Sequence, residues 1–199
     1  MKSYKTEIDP TPSQIELIHK TFGCTRYIYN QFVFENLENL ASDKDYVSAF
    51  DYSKRVNNDP NTPTWLKEVP SKAVKQALIY ADRAFKDYFS KRRGKPKFKK
   101  KGSSESFYLM GTIKVERHRL FVPVLKWVRL KEFGYIPKNI SSVTISMKNG
   151  RYYISCLCKD ESDERIPLSD YNMGIDFGLK DQFITEDRVI PSINKSLRI

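Results

Sequence analysis

Residues 172–187 read NMGIDFGLKDQFITED, with a carboxylate set between two glycines: Gly174, Ile175, Asp176, Phe177, Gly178. Met173, Ile175, Phe177 and Leu179 put apolar side chains on both sides of it, so 173–177 reads as a strand buried on both faces. Residues 178–181 then make a tight turn, and 182–185 return as a second strand. A carboxylate inside a buried strand is costly unless something pairs with it, and a divalent cation pairs with it best. On these residues alone a second reading stays open, in which Asp176 caps a backbone turn of an ordinary hairpin.

Upstream of this hairpin the chain is patterned for short strands. Residues 107–110, 112–115, 120–122 and 127–130 are β-rich, 142–147 and 152–158 alternate, and Asn149-Gly150 between the last two is a type I′ hairpin signal. That spacing suggests a small barrel or sandwich. Residues 159–171, acidic at Asp160, Glu161, Asp163 and Glu164, read as a linker, and 192–199 as the start of a helix. Further upstream the pattern is helical. Thr11, Pro12 and Gln14 form a helix start with a capping box, and Gly23 is a plausible break before a second helix over 25–41. A third helix is predicted over 46–56, a loop over 57–63, and a fourth helix capped by Ser71. Its stripe is Val74, Leu78, Ala81, Phe85 and Tyr88. Residues 4–8 are a lone strand before all of these.

The 199 residues carry 35 Lys and Arg against 24 Asp and Glu, a net charge of +11 that calls for a polyanionic partner. The charge concentrates in 91–101, KRRGKPKFKKK, where eight of eleven residues are basic and none is acidic. Such a run can be a solvated, self-repelling loop. Here Gly94, Pro96 and Phe98 interrupt it, which favours contact with nucleic acid that weakens steeply with salt. The N-terminus has no apolar secretory segment, no run approaches transmembrane length, and no basic amphipathic helix supports a membrane surface, so a cytoplasmic protein is expected. Cys24, Cys156 and Cys158 form no CxxC pair; Cys156 and Cys158 share one strand face as core residues do. His19 and His118 lie in no ligand spacing, which ranks an unrelated metal enzyme built around Asp176 last.

The glycine-bracketed aspartate resembles the first motif of the RuvC-like nuclease domain in the TnpB-type (OrfB) proteins of bacterial insertion sequences. There the segment runs Gly-Ile-Asp-Leu-Gly-Leu-Lys; Phe177 replaces the leucine. Further matches are Thr11, Pro12, Phe22, Gly23, Arg26, Tyr29 and Asn30, then Gln76, Ala77, Leu78, Asp82, Arg83, Ala84 and Phe85, then Gly94, Pro96, Phe98 and Lys99. The resemblance covers the whole chain but only the front half of a family member. It implies an α+β fold: a helical recognition lobe (11–92) inserted after the first strand (1–10) of a small β-barrel wedge domain (93–165), then the opening hairpin of an RNase H-like, RuvC-like domain (166–199). The family calls the first region a helix-turn-helix, but it shows no recognition helix with base-reading side chains at its start.

By the same resemblance, complete relatives are RNA-guided DNA endonucleases that use Mg2+, and Asp176 would be the first of three acidic metal ligands. The other two, a glutamate and an aspartate, lie far downstream in the family. Only 23 residues follow Asp176, against roughly 100 or more for a complete domain of that kind. The nuclease is therefore expected only as its opening hairpin, an incomplete metal site, and the chain alone is not expected to cleave or to hold a cofactor. The expected nucleic-acid-binding residues are Arg26, Tyr29, Asn30, Lys72, Lys75, Gln76, Arg83, Lys91, Arg92, Arg93, Lys95, Lys97, Lys99, Lys100 and Lys101. Lys75 and Gln76 match the family helix that faces a target-adjacent DNA motif; glutamine can read adenine, and lysine can hold guanine or phosphate. Guide RNA and DNA are the implied partners, with a chain supplying the remaining nuclease half as a further one. The alternative is a finished, nuclease-dead regulator that binds nucleic acid without cutting.

Overall fold

The computed structural model describes residues 1–103, 105–132 and 134–159, and beyond them the strand backbones at Ile175–Asp176, Asp181–Thr185 and Val189–Pro191. Strand β1 (Lys2–Asp9) opens the chain, turning Thr6 and Ile8 inward. Helix α1 (Pro12–Ala41) follows behind the expected capping box: the Gln14 N–H donates to Thr11 Oγ1 at 3.4 Å and the Thr11 N–H to Gln14 Oε1 at 2.9 Å. The same Gln14 amide donates to the carbonyls of Leu125 (2.8 Å) and Trp127 (2.9 Å), so one side chain caps the helix and ties it to the sheet.

Gly23 does not break this helix. A single 30-residue α1 replaces the two helices expected. An interior glycine costs about 1 kcal/mol relative to alanine. Phe22, Cys24, Thr25 and Ile28 around it are buried, and burying one large apolar side chain contributes about 1.5–3 kcal/mol, which outweighs that cost. Helix α2 (Ala49–Asn58) is capped by Ser48 and starts later than expected. A 3-10 turn (Thr64–Glu68) leads to helix α3 (Ser71–Phe89). Its N-cap is Pro70 with no side-chain cap hydrogen bond, so the cap expected from Ser71 is not made.

Six strands follow: β2 (Glu105–Met110), β3 (Lys114–Val115), β4 (Arg119–Val122), β5 (Lys126–Leu130), β6 (Ile140–Lys148) and β7 (Arg151–Cys158). With β1 they form one antiparallel sheet in the order β2-β6-β7-β1-β5-β4-β3. Asn149 (φ 51°) and Gly150 (φ 73°) turn β6 into β7 through the expected type I′ geometry. The first strand thus sits mid-sheet, and the three helices are inserted between it and β2.

The sheet is open. The expected closed barrel is not formed: β2 and β3 are its two edges, and no pairing joins them. Helices close the core instead. Phe22 of α1 meets Phe107 of β2 edge-on at 5.4 Å, and Ile18, Phe22 and Ala73 pack with Leu109, Leu120, Val128, Ile145 and Ile154 on the inner sheet face. Cys156 and Cys158 belong to this core, and burial pushes the Cys156 thiol up to about 12. A second core joins the helices through Ile28, Phe32, Val33, Tyr52, Leu78, Ala81 and Phe85. It contains a buried amide: Asn36 donates to the carbonyls of Phe32 and Val47 (both 3.2 Å) and accepts from the Val47 N–H at 2.8 Å.

Contacts divide the chain into two units, residues 1–160 and 161–199. In the second, β8 (Ile175–Asp176), β9 (Asp181–Thr185) and β10 (Val189–Pro191) form an antiparallel sheet in the order β10-β9-β8. The β8–β9 hairpin expected around Asp176 is present in the backbone, with Asp176 opposite Ile184. The linker expected at 159–171 falls almost entirely, and the helix start at 192–199 entirely, outside the described residues.

Candidate nucleic-acid interface

The basic segment leaves α3 through a specific C-terminal turn. The Ser90 N–H donates to the Lys86 carbonyl at 3.0 Å, and Lys91 adopts φ 58°, the left-handed conformation that commonly ends a helix. The N–H groups of Arg92 and Arg93 then donate to the Asp87 carbonyl at 2.9 and 3.2 Å. Their guanidinium groups stand 3.8 Å from the Asp87 carboxylate, too long for a hydrogen bond and largely in solvent. Pro96 is buried, and Phe98 is half exposed at 50%.

At Lys99 the segment docks on α1. The Asn30 amide donates to the Lys99 carbonyl at 3.0 Å and accepts the Lys99 N–H at 2.8 Å. The Lys99 ammonium lies 4.3 Å from the centre of the Tyr29 ring, a cation–π contact. Although Lys99 as a whole is exposed, desolvation there pulls its pKa below the usual lysine range; burial likewise pushes the Tyr29 phenol up. Six residues on, Glu105 Oε1 accepts from the Gly102 N–H at 3.2 Å and from Arg26 Nη1 at 3.0 Å. Arg26, Tyr29 and Asn30 therefore hold the segment from beneath. Lys91, Lys95, Lys97, Lys100 and Lys101 are exposed, with no side-chain partner among the described residues.

The candidates on α3 diverge. Lys75 borders an open groove of about 730 Å³ between α2 and α3, lined also by Phe50, Ser53, Lys54, Ile79 and Lys86. Phe50 (78% exposed) and Ile79 (51%) give it an apolar floor. Lys86 is paired with Asp82 at 2.7 Å. Asp82 also accepts from the Tyr46 hydroxyl (2.9 Å) and the Ala49 N–H (3.1 Å), setting α2 against α3. Burial raises the Asp82 pKa, but its hydrogen bonds with Lys86, Ala49 and Tyr46 outweigh this and leave it lowered. Gln76 turns the other way, to a recess of about 60 Å³ shared with Lys99, Tyr80 and Tyr108. Lys72 borders a third recess of about 400 Å³ beside Met110 and Phe121. Arg83 is exposed and lies on the same helical stripe as Gln76 and Tyr80.

Several residues of this surface carry weaker signals in the sequence. Asp87 and Glu105 bracket the basic run as the acids flanking it, a visible signal. Phe50 and Lys54 had a weaker one, the amphipathic pattern of α2 with an exposed aromatic. Asp176 sits on β8 with its backbone alone described. Among the described residues no group of three or more His, Cys, Asp or Glu could hold a metal. His19 bonds the Tyr152 hydroxyl at 2.7 Å, a link between α1 and the sheet. Among the described residues no helix is long and apolar enough to cross a membrane.

Comparison with known proteins bears on this arrangement. A family model described as a helix-turn-helix domain, that of the OrfB transposon proteins, matches residues 1–45. In the structure those residues are one strand and one uninterrupted helix, followed by the turn that ends it. A protein of Escherichia coli (strain K12), InsQ, named as a candidate RNA-guided DNA endonuclease, is 27% identical over 186 residues, 90% of this chain and 46% of its own length. A Streptomyces pristinaespiralis protein with the same designation is 28% identical over 189 residues, 89% of this chain and 46% of its own. The chain is thus similar to the OrfB transposon proteins in its first 45 residues, and over most of its length to the front part of these two relatives. It spans about half the length of the curated relatives it matches.

Proposed function

We propose that these 199 residues form the nucleic-acid-binding part of an RNA-guided DNA nuclease, gripping the sugar–phosphate backbone of guide RNA and target DNA. The observation that carries this is the anchored ridge at 91–101, whose lysines other than Lys99 stand in solvent while its backbone is fixed at Asp87 and Asn30 and, just beyond it at Gly102, at Glu105. Lysines held this way neutralise phosphates without first having to be ordered. The α2–α3 groove supports a second role, with Lys75 and Lys54 at its rim holding a DNA backbone edge and Phe50 offering an apolar surface. Gln76, facing away from that groove, supports a contact on the Lys99 side.

In this reading the open sheet is the equivalent of the family's wedge domain, and β8 carries the first carboxylate of its nuclease centre. Mg2+, if bound with further acidic ligands, would supply the charge neutralisation for phosphodiester cleavage. Asp176 alone does not position two metals, and the 199 residues are expected to bind without cutting. Anisotropy titrations with a labelled single-stranded RNA and a labelled duplex DNA, run beside a cleavage assay in Mg2+, test both parts. Binding to both probes without cleavage is expected. Absence of binding at about 50 mM salt contradicts the first part, and cleavage contradicts the second.

A further inference from the structure

We infer that Asn30 and Tyr29 act as positioning residues for the basic segment and that Lys99 is their anchor rather than a phosphate contact. The inference deepens the nucleic-acid-binding reading and rests on it for its functional half. Asn30 engages Lys99 as a neighbouring β-strand would, taking its N–H and supplying an N–H to its carbonyl. A helix surface thus reads the backbone of a loop 69 residues away. Tyr29, one residue earlier, carries the Lys99 ammonium on its ring at 4.3 Å. Glu105 holds the next turn through Gly102, and Arg26 orients Glu105.

The placement explains a pattern that charge alone does not. Of the run's cations, Lys99 is the one held on an aromatic ring and partly desolvated, while its neighbours Lys97 and Lys100 are exposed with no partner among the described residues. A basic run without anchors repels itself and spreads, and binding must then order it. Fixing the backbone at Lys99 settles where Lys97, Lys100 and Lys101 stand before the ligand arrives, so less is lost on binding.

Hydrogen exchange on the free chain and salt-dependent binding together test this. In Asn30→Ala the Lys99 amide should lose its protection, and affinity for duplex DNA should fall about three- to tenfold, as loss of one or two net hydrogen bonds implies, with an unchanged salt slope. Asn30→Asp keeps the acceptor for the Lys99 N–H and loses the donor, so it should fall between Asn30→Ala and the unaltered chain. Lys99→Ala should leave the slope of log K against log salt unchanged, whereas Lys97→Ala and Lys100→Ala should each lower it by about 0.9. Unchanged protection at Lys99 in Asn30→Ala overturns the anchor. So does an affinity loss without loss of protection, which would make Asn30 a direct contact, or a slope reduced by Lys99→Ala. If the unaltered chain binds no DNA, the nucleic-acid reading fails instead, and the exchange experiment still decides whether Asn30 orders the segment.

Discussion

The segment 91–101 and the α2–α3 groove both offer lysines to solvent, but they are built differently. In the segment, the backbone is tied to α1 and α3 at several points, and the side chains of Lys91, Lys95, Lys97, Lys100 and Lys101 stand in solvent. In the groove, the lysines ride on helices joined by the helical core and by one buried carboxylate, Asp82, with which one of the lysines, Lys86, is already paired. The segment is therefore suited to dense, sequence-independent phosphate contact. The groove, with Phe50 and Ile79 between Lys54 and Lys75, is suited to fewer contacts of more defined shape.

The largest expected effect separates the two directly. Replacing Lys95, Lys97, Lys100 and Lys101 by alanine should weaken DNA or RNA binding by roughly 100-fold at moderate salt, since each lost phosphate contact removes its share of counterion release. Replacing Lys54 and Lys75 should cost about tenfold. Anisotropy titrations of the two variants check the ranking, and the reverse order would make the groove the main interface.

Next in size is the helical core under both surfaces. Asn36→Ala leaves the Val47 backbone groups without their partners and should lower stability by about 2–3 kcal/mol in denaturant melts. Asp82 adds a pH dependence. Its folded pKa is lowered below the ordinary carboxylate value, so its stabilisation is present above about pH 4 and is lost as pH falls through the folded value. Melting temperatures measured from pH 7 to pH 3 should show a smaller acid loss in Asp82→Asn than in the unaltered chain, and loss of the groove lysines' placement should accompany it.

A smaller effect should come from Gly23→Ala. The glycine is inside α1, with no heavy atom near an added Cβ, so the substitution should raise stability by about 0.5–1 kcal/mol in the same melts. Smallest is the thiol chemistry. With its pKa pushed up to about 12 in the sheet core, Cys156 should stay unlabelled by a thiol reagent at pH 8 in the native state and react after unfolding.

The two regions were also unequally legible in the sequence. The charge of 91–101 is local and stands out by composition, as does the Asn149-Gly150 turn, because both are set by neighbouring residues. The anchors of the segment are not local: Asn30 and Lys99 are 69 positions apart, and Arg26 and Glu105 79, so Arg26, Tyr29 and Asn30 look from the sequence like residues awaiting a ligand. Gly23 misleads for a related reason, since its helix-breaking tendency is weaker than the burial of Phe22 and Cys24 on either side. The expected barrel fails where strand count cannot inform closure, because α1 and α3 cover the core beside β2. Lys75 and Gln76 adjoin in sequence, yet their helix turns them toward different recesses.

The most direct test is the salt dependence of duplex DNA binding, measured for the unaltered chain and for the variant lacking Lys95, Lys97, Lys100 and Lys101. The expected result is a linear fall of log K with log salt whose slope is shallower in the variant by about 0.9 for each lysine that met a phosphate. Equal slopes in the two proteins would mean that the ridge at 91–101 does not touch the nucleic acid.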